Sequence, residues 1–82
     1  MNHNIDYAAP AELFPAPTHR RGQLSYHRFD SLAEAIRFAS EELTPAQLAG
    51  AFIESEEERY DGTAIATLYK SQAFPLPRRD GA

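Results

Sequence analysis

The side chains that could carry out catalysis or bind a metal are few in this sequence, and they are widely spaced. The histidines are His3, His19 and His27, and no two of them have the spacing that places two ligands on one helix face. The chain has no cysteine and no glycine-rich loop of the kind that cradles phosphate. Because His27 also lacks a neighbour that could orient it, we predict no catalytic residue, no enzyme activity and no cofactor.

A cluster of carboxylates between residues 54 and 58, with the sequence ESEEE, is the next candidate for chemistry. Calcium-binding loops alternate their oxygen ligands around a central glycine and end in a bidentate acid, and this run has neither the spacing nor the glycine. We therefore predict a solvated turn here and no metal site.

The distribution of charge argues against a nucleic-acid surface on the middle of the chain. The net charge is −4, but residues 30–61 hold nine acidic and two basic residues, a local net charge of −7. An acidic surface repels phosphate backbones, so nucleic-acid binding is the less favoured alternative. It would use arginines nearer the two ends: Arg20, Arg21, Arg28, Arg78 and Arg79.

The length of 82 residues suits one domain with a small core, which no disulfide can reinforce. No apolar run approaches the roughly 20 residues that span a bilayer, and the N-terminus lacks the pattern of a secretory signal. We therefore expect a cytoplasmic protein with no membrane contact.

The clearest structural pattern is an amphipathic helix over residues 30–43. Ser31 and Glu34 have the spacing of a capping box at its start, and Thr44-Pro45 predicts its end. At 100° per residue, one stripe should face the core; it contains Leu32, Ala35, Ile36, Ala39 and Leu43. Phe38 lies roughly 120° from the centre of this stripe, so we expect Phe14, Phe74 or a second molecule to cover it.

Two strands are predicted on either side of this helix. Residues 23–29 alternate so that Tyr26 should face the core and His27 should face away from it. Residues 51–55 form the second strand, which points Phe52 and Ile53 to opposite faces and leaves one of them in need of cover. Before it, Thr44-Pro45-Ala46-Gln47 predicts a short helical turn.

Residues 62–71 fit two alternatives. Asp61-Gly62 could form a hairpin turn before a strand, or Asp61 could cap a helix. The helix is favoured because it buries both Leu68 and Tyr69, which a strand would point to opposite faces.

The two ends are predicted to be flexible. Residues 1–21 contain three of the six prolines and form an arm, in which residues 10–14 could make one helical turn. Phe74 and Leu76 should lie over the core, and residues 78–82 should form a tail.

The sequence thus predicts an α+β domain over residues 22–77, with two layers in β-α-β-α order. Its sheet would have two or three strands, the third coming from residues 57–60 or from a second copy.

A resemblance to other sequences supports this organisation. The residues that carry it are YxRFD at 26–30, EAIRFA at 34–39 and RYDG at 59–62, with Leu68-Tyr69 and Pro75-Leu76. In this pattern the chain resembles a family of small uncharacterised bacterial proteins over roughly residues 12–79. The resemblance implies a helix over residues 62–71, and it implies no activity.

A small core with spare aromatic side chains is typical of an interaction module. We therefore expect the chain to bind another protein or to form a homodimer. The predicted contact residues are Leu13, Phe14, Phe38, Phe52 and Phe74.

Overall fold

The computed structural model describes residues 5–15 and 26–77 of the chain, which form a four-stranded antiparallel sheet and three helices. The strands are β1 (Ala11–Phe14), β2 (His27–Phe29), β3 (Phe52–Ser55) and β4 (Glu58–Asp61), in the order β2-β1-β3-β4. The helices are α1 (Leu32–Glu42), α2 (Pro45–Gly50) and α3 (Gly62–Lys70). The predicted α+β class is confirmed.

The core lies between the sheet and the two longer helices. Helices α1 and α3 pack on each other and on the same side of the sheet, which we call the inner face. Leu13 from β1, Ile36 from α1 and Ile65 from α3 are all 0% exposed within it. The predicted stripe of α1 is buried as expected, apart from Leu43, which caps the helix and is only half-buried.

Local signals explain where the helices begin. The Ser31 hydroxyl accepts a hydrogen bond from the backbone N–H of Glu34 at 3.1 Å, and the Asp61 carboxylate accepts one from Ala64 at 2.9 Å. Thr44 and Gln47 form a complete capping box at the start of α2. The helical alternative for residues 62–71 is therefore confirmed, and so is the short turn at residues 44–50.

Strand β1 is the main departure from the sequence-based prediction. Ala11–Phe14 form an inner strand between β2 and β3, so the predicted helical turn at residues 10–14 is wrong and this part of the expected arm belongs to the domain. The two predicted strands flank β1 and do not pair with each other. With β4 folding back after the turn at Glu56 and Glu57, the sheet has four strands rather than two or three.

The phase predicted for residues 23–29 is reversed where the structure describes it. His27 pairs with the buried Leu13 and lies on the inner face beside Phe38, whereas Tyr26 lies on the opposite side of the sheet and is 47% exposed. The pairing with β1 sets this phase, and it places Phe29, not Tyr26, against the core.

The segment after α3 closes the other end of the core. Phe74 is 6% exposed and contacts the rings of Tyr7 and Tyr69, with centroids 6.1 and 5.4 Å away. Leu76 packs against the same core. Both placements confirm the prediction.

Residues 5–10 of the expected arm also pack on the domain, where Ala9 is 5% exposed and its carbonyl accepts a hydrogen bond from Leu32 at 2.7 Å. The expected tail at residues 78–82 and residues 1–4 and 16–21 of the expected arm lie outside the described residues.

Candidate interaction surface

The residues with catalytic potential do not assemble into a reactive site in the described part of the chain. His27 packs its ring against Phe38 and Phe29, at centroid distances of 5.2 and 6.1 Å, which gives it a structural role at the edge of the helix layer. His3 and His19 lie outside the described residues. Among residues 5–15 and 26–77, no three histidine or carboxylate side chains come close enough to hold a metal ion.

The acidic run forms the β3–β4 turn, as predicted. Glu56 and Glu57 adopt left-handed backbone conformations, with φ of 53° and 70°. Such conformations cost a residue other than glycine roughly 1–2 kcal/mol. Ser55 is turned inward and donates a hydrogen bond to the carbonyl of Pro10 at 2.8 Å, so its hydroxyl supports the fold.

A shallow depression beside this turn collects acidic groups around Tyr60. It is lined by Asp6, Glu56 and Glu58 together with apolar residues of the inner layer. Partial burial raises the pKa of Tyr60, and the negative charges of Glu58 and Glu56 raise it further. The described part of the chain places no cation in this depression, so we assign it no binding role.

The outer face of the sheet, opposite the helices, carries a different arrangement. Alternation along the strands points every second residue outward, and the strand register then aligns these residues in two rows across the sheet. We call the first the aromatic row, which consists of Tyr26, Phe14 and Phe52. We call the second the charged row, which in the order β2-β1-β3-β4 consists of Arg28, Glu12, Glu54 and Arg59.

The rings of the aromatic row contact each other across the strands. Phe14 and Phe52 are stacked, with centroids 5.0 Å apart and an interplanar angle of 20°. Tyr26 lies against the other side of Phe14 at 5.3 Å, and the guanidinium of Arg59 lies 4.2 Å from the centre of the Phe52 ring. Rings stacked along the inter-strand direction stand upright on the sheet, so their edges point towards the outside.

Polar contacts connect the charged row to the aromatic row and join two members of the charged row to each other. Tyr26 donates a hydrogen bond to the Glu12 carboxylate at 2.8 Å, and this bond is the main reason that the pKa of Tyr26 is raised. Arg59 forms an ion pair with Glu54 at 3.2 Å. Arg28 is exposed, and within the described part of the chain it forms no ion pair.

The outer face separates the predicted contact residues into two groups. Phe14 and Phe52 lie together in the aromatic row, half-buried by their neighbours. Leu13 is 0% exposed and Phe74 is 6% exposed, so both are core residues and neither offers a contact surface to a partner. The predicted contact role therefore does not fit either residue. For Leu13 that prediction treated residues 10–14 as part of a mobile arm, and for Phe74 it competed with the prediction, confirmed above, that this residue lies over the core.

Phe38 lies on the helix side, away from the aromatic row. Its ring contacts His27 and Phe29 of β2, rather than Phe14 or Phe74 as expected. It remains half-buried, at the edge of a depression that it shares with Glu34 and Glu42. Phe38 therefore has cover from its own chain and is not an isolated aromatic residue on the surface.

The arginines predicted for nucleic-acid contact are mostly outside the described residues. Arg20, Arg21, Arg78 and Arg79 belong to this group, and only Arg28 can be placed, on the outer face. Sequence reasoning missed Tyr26, Glu12, Glu54 and Arg59 as members of one surface. The alternation of Phe52 and Ile53 was the one signal for that surface, since it required one of the two to face outward.

No protein-family model matches the sequence, no curated protein shows significant similarity to it, and no solved structure matches its fold. No helix in residues 5–15 and 26–77 is long and apolar enough to cross a membrane.

Proposed function

We propose that this protein is an interaction module that binds another protein chain through the outer face of its sheet. The observation that carries the proposal is the aromatic row, in which three rings lie together on the one face of the sheet that no described helix covers. Antiparallel sheets commonly pack one face on the core and expose the other to solvent, and the solvent-exposed face is then expected to be polar. Three aromatic side chains in a row on that face are a departure that favours binding.

The composition of the face matches that of a protein interface. Aromatic residues and arginine are enriched at interface centres, and charged residues form the rim. Here Phe14 and Phe52 would be the apolar anchors, and the charged row would be the polar rim beside them. Tyr26 can offer an apolar contact and a polar one, because its ring packs on Phe14 while its hydroxyl donates a hydrogen bond to Glu12.

The ring geometry favours a protein partner over single-stranded nucleic acid. Base stacking requires an aromatic ring with a free face. One face of Phe52 is covered by Phe14 and the other by the guanidinium of Arg59, so this ring has only its edge to offer. The charged row also contains two arginines and two glutamates, which cancel and provide no attraction for phosphates.

Affinity capture with the full-length chain as bait tests the proposal. Phe52→Thr removes the central ring of the row, while threonine retains a high propensity for strands. Phe38→Gln is the matched control, since it removes the half-buried aromatic ring on the helix side. Circular dichroism and thermal melting first establish that both variants are folded.

The expected result is that proteins captured from the source organism's lysate by the natural chain are also captured by Phe38→Gln and are lost with Phe52→Thr. Self-association, measured as mass in solution, should follow the same order. A natural chain that captures nothing and stays monomeric would overturn the proposal. So would binding that survives Phe52→Thr and is lost with Phe38→Gln.

A further inference from the structure

We infer that the outer face binds a second copy of this chain, in a face-to-face dimer whose two-fold axis runs along β1. The inference rests on the proposed function and names its partner. It is drawn from the order of charges across the sheet, which reads positive, negative, negative, positive from β2 to β4. When two copies of this row face each other, opposite charges meet in some alignments of the strands and like charges meet in others.

The symmetry of a homodimer limits these superpositions. In an isologous dimer each residue contact occurs twice, and two sheets can face each other only if the two-fold axis lies in the plane between them. Sheets that pack in the aligned way keep their strands within about 30° of each other, which allows an axis along the strands or across them. An axis across the strands places each charged residue opposite its own copy or opposite a residue of the other row, so opposite charges of the charged row do not meet, and we therefore take the axis along the strand direction. The charges that meet then depend on which strand carries the axis.

An axis midway between β1 and β3 is repulsive throughout. It places Arg28 opposite the partner's Arg59, and Glu12 opposite the partner's Glu54. Like charges brought together at an interface strongly oppose association. This arrangement is therefore excluded by the charged row.

An axis along β1 gives two complementary pairs, each between Arg28 of one copy and the partner's Glu54. It also aligns the aromatic rows, with Phe14 at the axis and Tyr26 opposite the partner's Phe52. Arg28 forms no ion pair in the described part of the chain, so it reaches the partner without breaking one. One unfavourable contact remains, because the two Glu12 side chains meet at the axis.

An axis along β3 is the competing arrangement, and it uses the face less well. It would pair Glu12 with the partner's Arg59, and each of these groups already has a partner in its own chain. The axis along β1 draws on one such group, Glu54, because Arg28 forms no ion pair in the described part of the chain. The axis along β3 would also place Phe14 opposite the partner's Asp61, so this ring would face a carboxylate and contact no aromatic ring of the partner. The observed contacts therefore favour the axis along β1.

The size of the surface predicts reversible association. The three strands that overlap about this axis, β2, β1 and β3, lie about 4.8 Å apart and advance about 3.3 Å per residue, so four residues of each offer a face of roughly 10 by 13 Å. This is smaller than the roughly 800 Å² per partner of a standard interface. We therefore expect a dissociation constant in the micromolar range or weaker, and the assay must include protein concentrations up to about 1 mM.

The test is sedimentation equilibrium of the full-length chain and its charge-reversal variants. Arg28→Glu and Glu54→Arg should each weaken the dimer by about tenfold or more, because each places like charges in both pairs. An equimolar mixture of these two variants should associate nearly as tightly as the natural chain, since the mixed dimer again brings opposite charges together in both pairs. Isotope labelling of one variant lets native mass spectrometry identify the mixed dimer.

Two further variants locate the axis. Lys70→Glu is the matched control, a charge reversal at an exposed position on the helix side, and it should change the dissociation constant by less than about threefold. Arg59→Glu should weaken the dimer less than Arg28→Glu does, because β4 lies beyond the overlap about an axis along β1. Glu12→Gln should tighten the dimer, since it removes the like charges at the axis and keeps an acceptor for Tyr26. If the axis lay along β3, Arg59→Glu would be the damaging change and Glu12→Gln would weaken the dimer.

The inference is overturned if the natural chain stays monomeric at about 1 mM, if the mixture does not recover association, or if Arg59→Glu is damaging and Arg28→Glu is not. A monomeric chain whose lysate partners still depend on Phe52 would show that the outer face binds a different protein. In that case the proposed function stands and the homodimer fails.

Discussion

Gly62→Ala is the change that most directly tests how the helices fit together. Gly62 is the first residue of α3 and is buried against α2. A Cβ added there would lie 2.3 Å from the carbonyl oxygen of Leu48 and 3.3 Å from the Cα of Ala49. The obstacle is backbone, so no side-chain rotation can relieve the contact.

The expected effect is a balance of two opposing terms. Replacing glycine by alanine in a helix favours folding by about 1 kcal/mol through propensity and the smaller entropy of the unfolded chain. Against this, the new atom sits about 1 Å inside ordinary contact distance, so α2 must move away from α3. Overpacking of this kind costs about 1–3 kcal/mol. The Leu48 carbonyl also accepts the bond that ends α2, from Ala51 at 3.1 Å, and the same movement strains that bond.

The overpacking cost less the propensity gain is a loss of about 0–2 kcal/mol in the free energy of unfolding. Strain on the hydrogen bond from Ala51 to Leu48 adds to this loss, so we expect Gly62→Ala to lie in the upper half of that range, at about 1–2 kcal/mol. In a domain of this size that corresponds to a fall of about 4–16 °C in Tm. Urea denaturation followed by circular dichroism measures the change directly, with the slope compared between variants to check for two-state unfolding. Thr63→Ala is the control, because it makes a comparable change at the exposed neighbouring position of the same helix.

An equal or increased stability of Gly62→Ala would refute this reasoning. It would mean that α2 yields to the added methyl group at little cost, and that the close approach of the two helices is not a constraint on the fold. Destabilisation of Thr63→Ala by the same amount would point instead to a general sensitivity at the start of α3.

Three other predictions concern the core, the helix side and alkaline pH. Ile36→Ala should lower the free energy of unfolding by about 2–5 kcal/mol through the cavity it leaves. The buried hydroxyl of Ser40 has no hydrogen-bond partner among the described residues, so Ser40→Ala should leave the free energy of unfolding unchanged or raise it slightly. Urea titration measures both variants, and equal losses would contradict the packing of α1. Phe38→Glu removes the ring contacts with His27 and Phe29, so it should lower the free energy of unfolding by about 1–3 kcal/mol and leave the domain folded. Binding through the outer face should persist. Loss of binding by a fully folded variant would show that Phe38 is a contact residue. The pKa values of Tyr26 and Tyr60 are raised in the folded state, so their contribution to stability is complete below the ordinary tyrosine pKa and declines as pH rises above about 10. Absorbance titration of tyrosine ionisation, compared between folded and urea-unfolded protein, checks this prediction, and identical titration curves would contradict it.

The two longer helices were predictable because their signals are local. The cap at Ser31, the stop at Thr44-Pro45 and the apolar stripe of α1 all lie within 15 residues, and each acts through backbone geometry or periodicity that needs no distant partner. The same holds for α3, where Asp61 caps the helix. The turn at the acidic run was also predictable, since charged side chains favour solvent.

The candidate surface was predictable only in part. The adjacent Phe52 and Ile53 must point to opposite faces of any strand, so the sequence required one of them to be uncovered. It did not determine which, because that depends on the side of β3 that the helices occupy. The structure turns Ile53 inward and places Phe52 beside Phe14, a residue 38 positions earlier in the chain.

The sequence by itself determined helix α1 and its ends, the short turn that forms α2 and the presence of an α+β domain, and it favoured a helix over a strand for residues 62–71. Only the tertiary structure decided that Ala11–Phe14 is an inner strand, because four residues between prolines carry no periodicity that distinguishes a strand from a helical turn. Pairing with β2 and β3 fixes its conformation, and the register of that pairing then brings Glu12, Arg28 and Glu54 into one row. Contacts between distant segments create this surface, so the local pattern at Phe52 and Ile53 indicated one uncovered side chain and could not reveal the two rows.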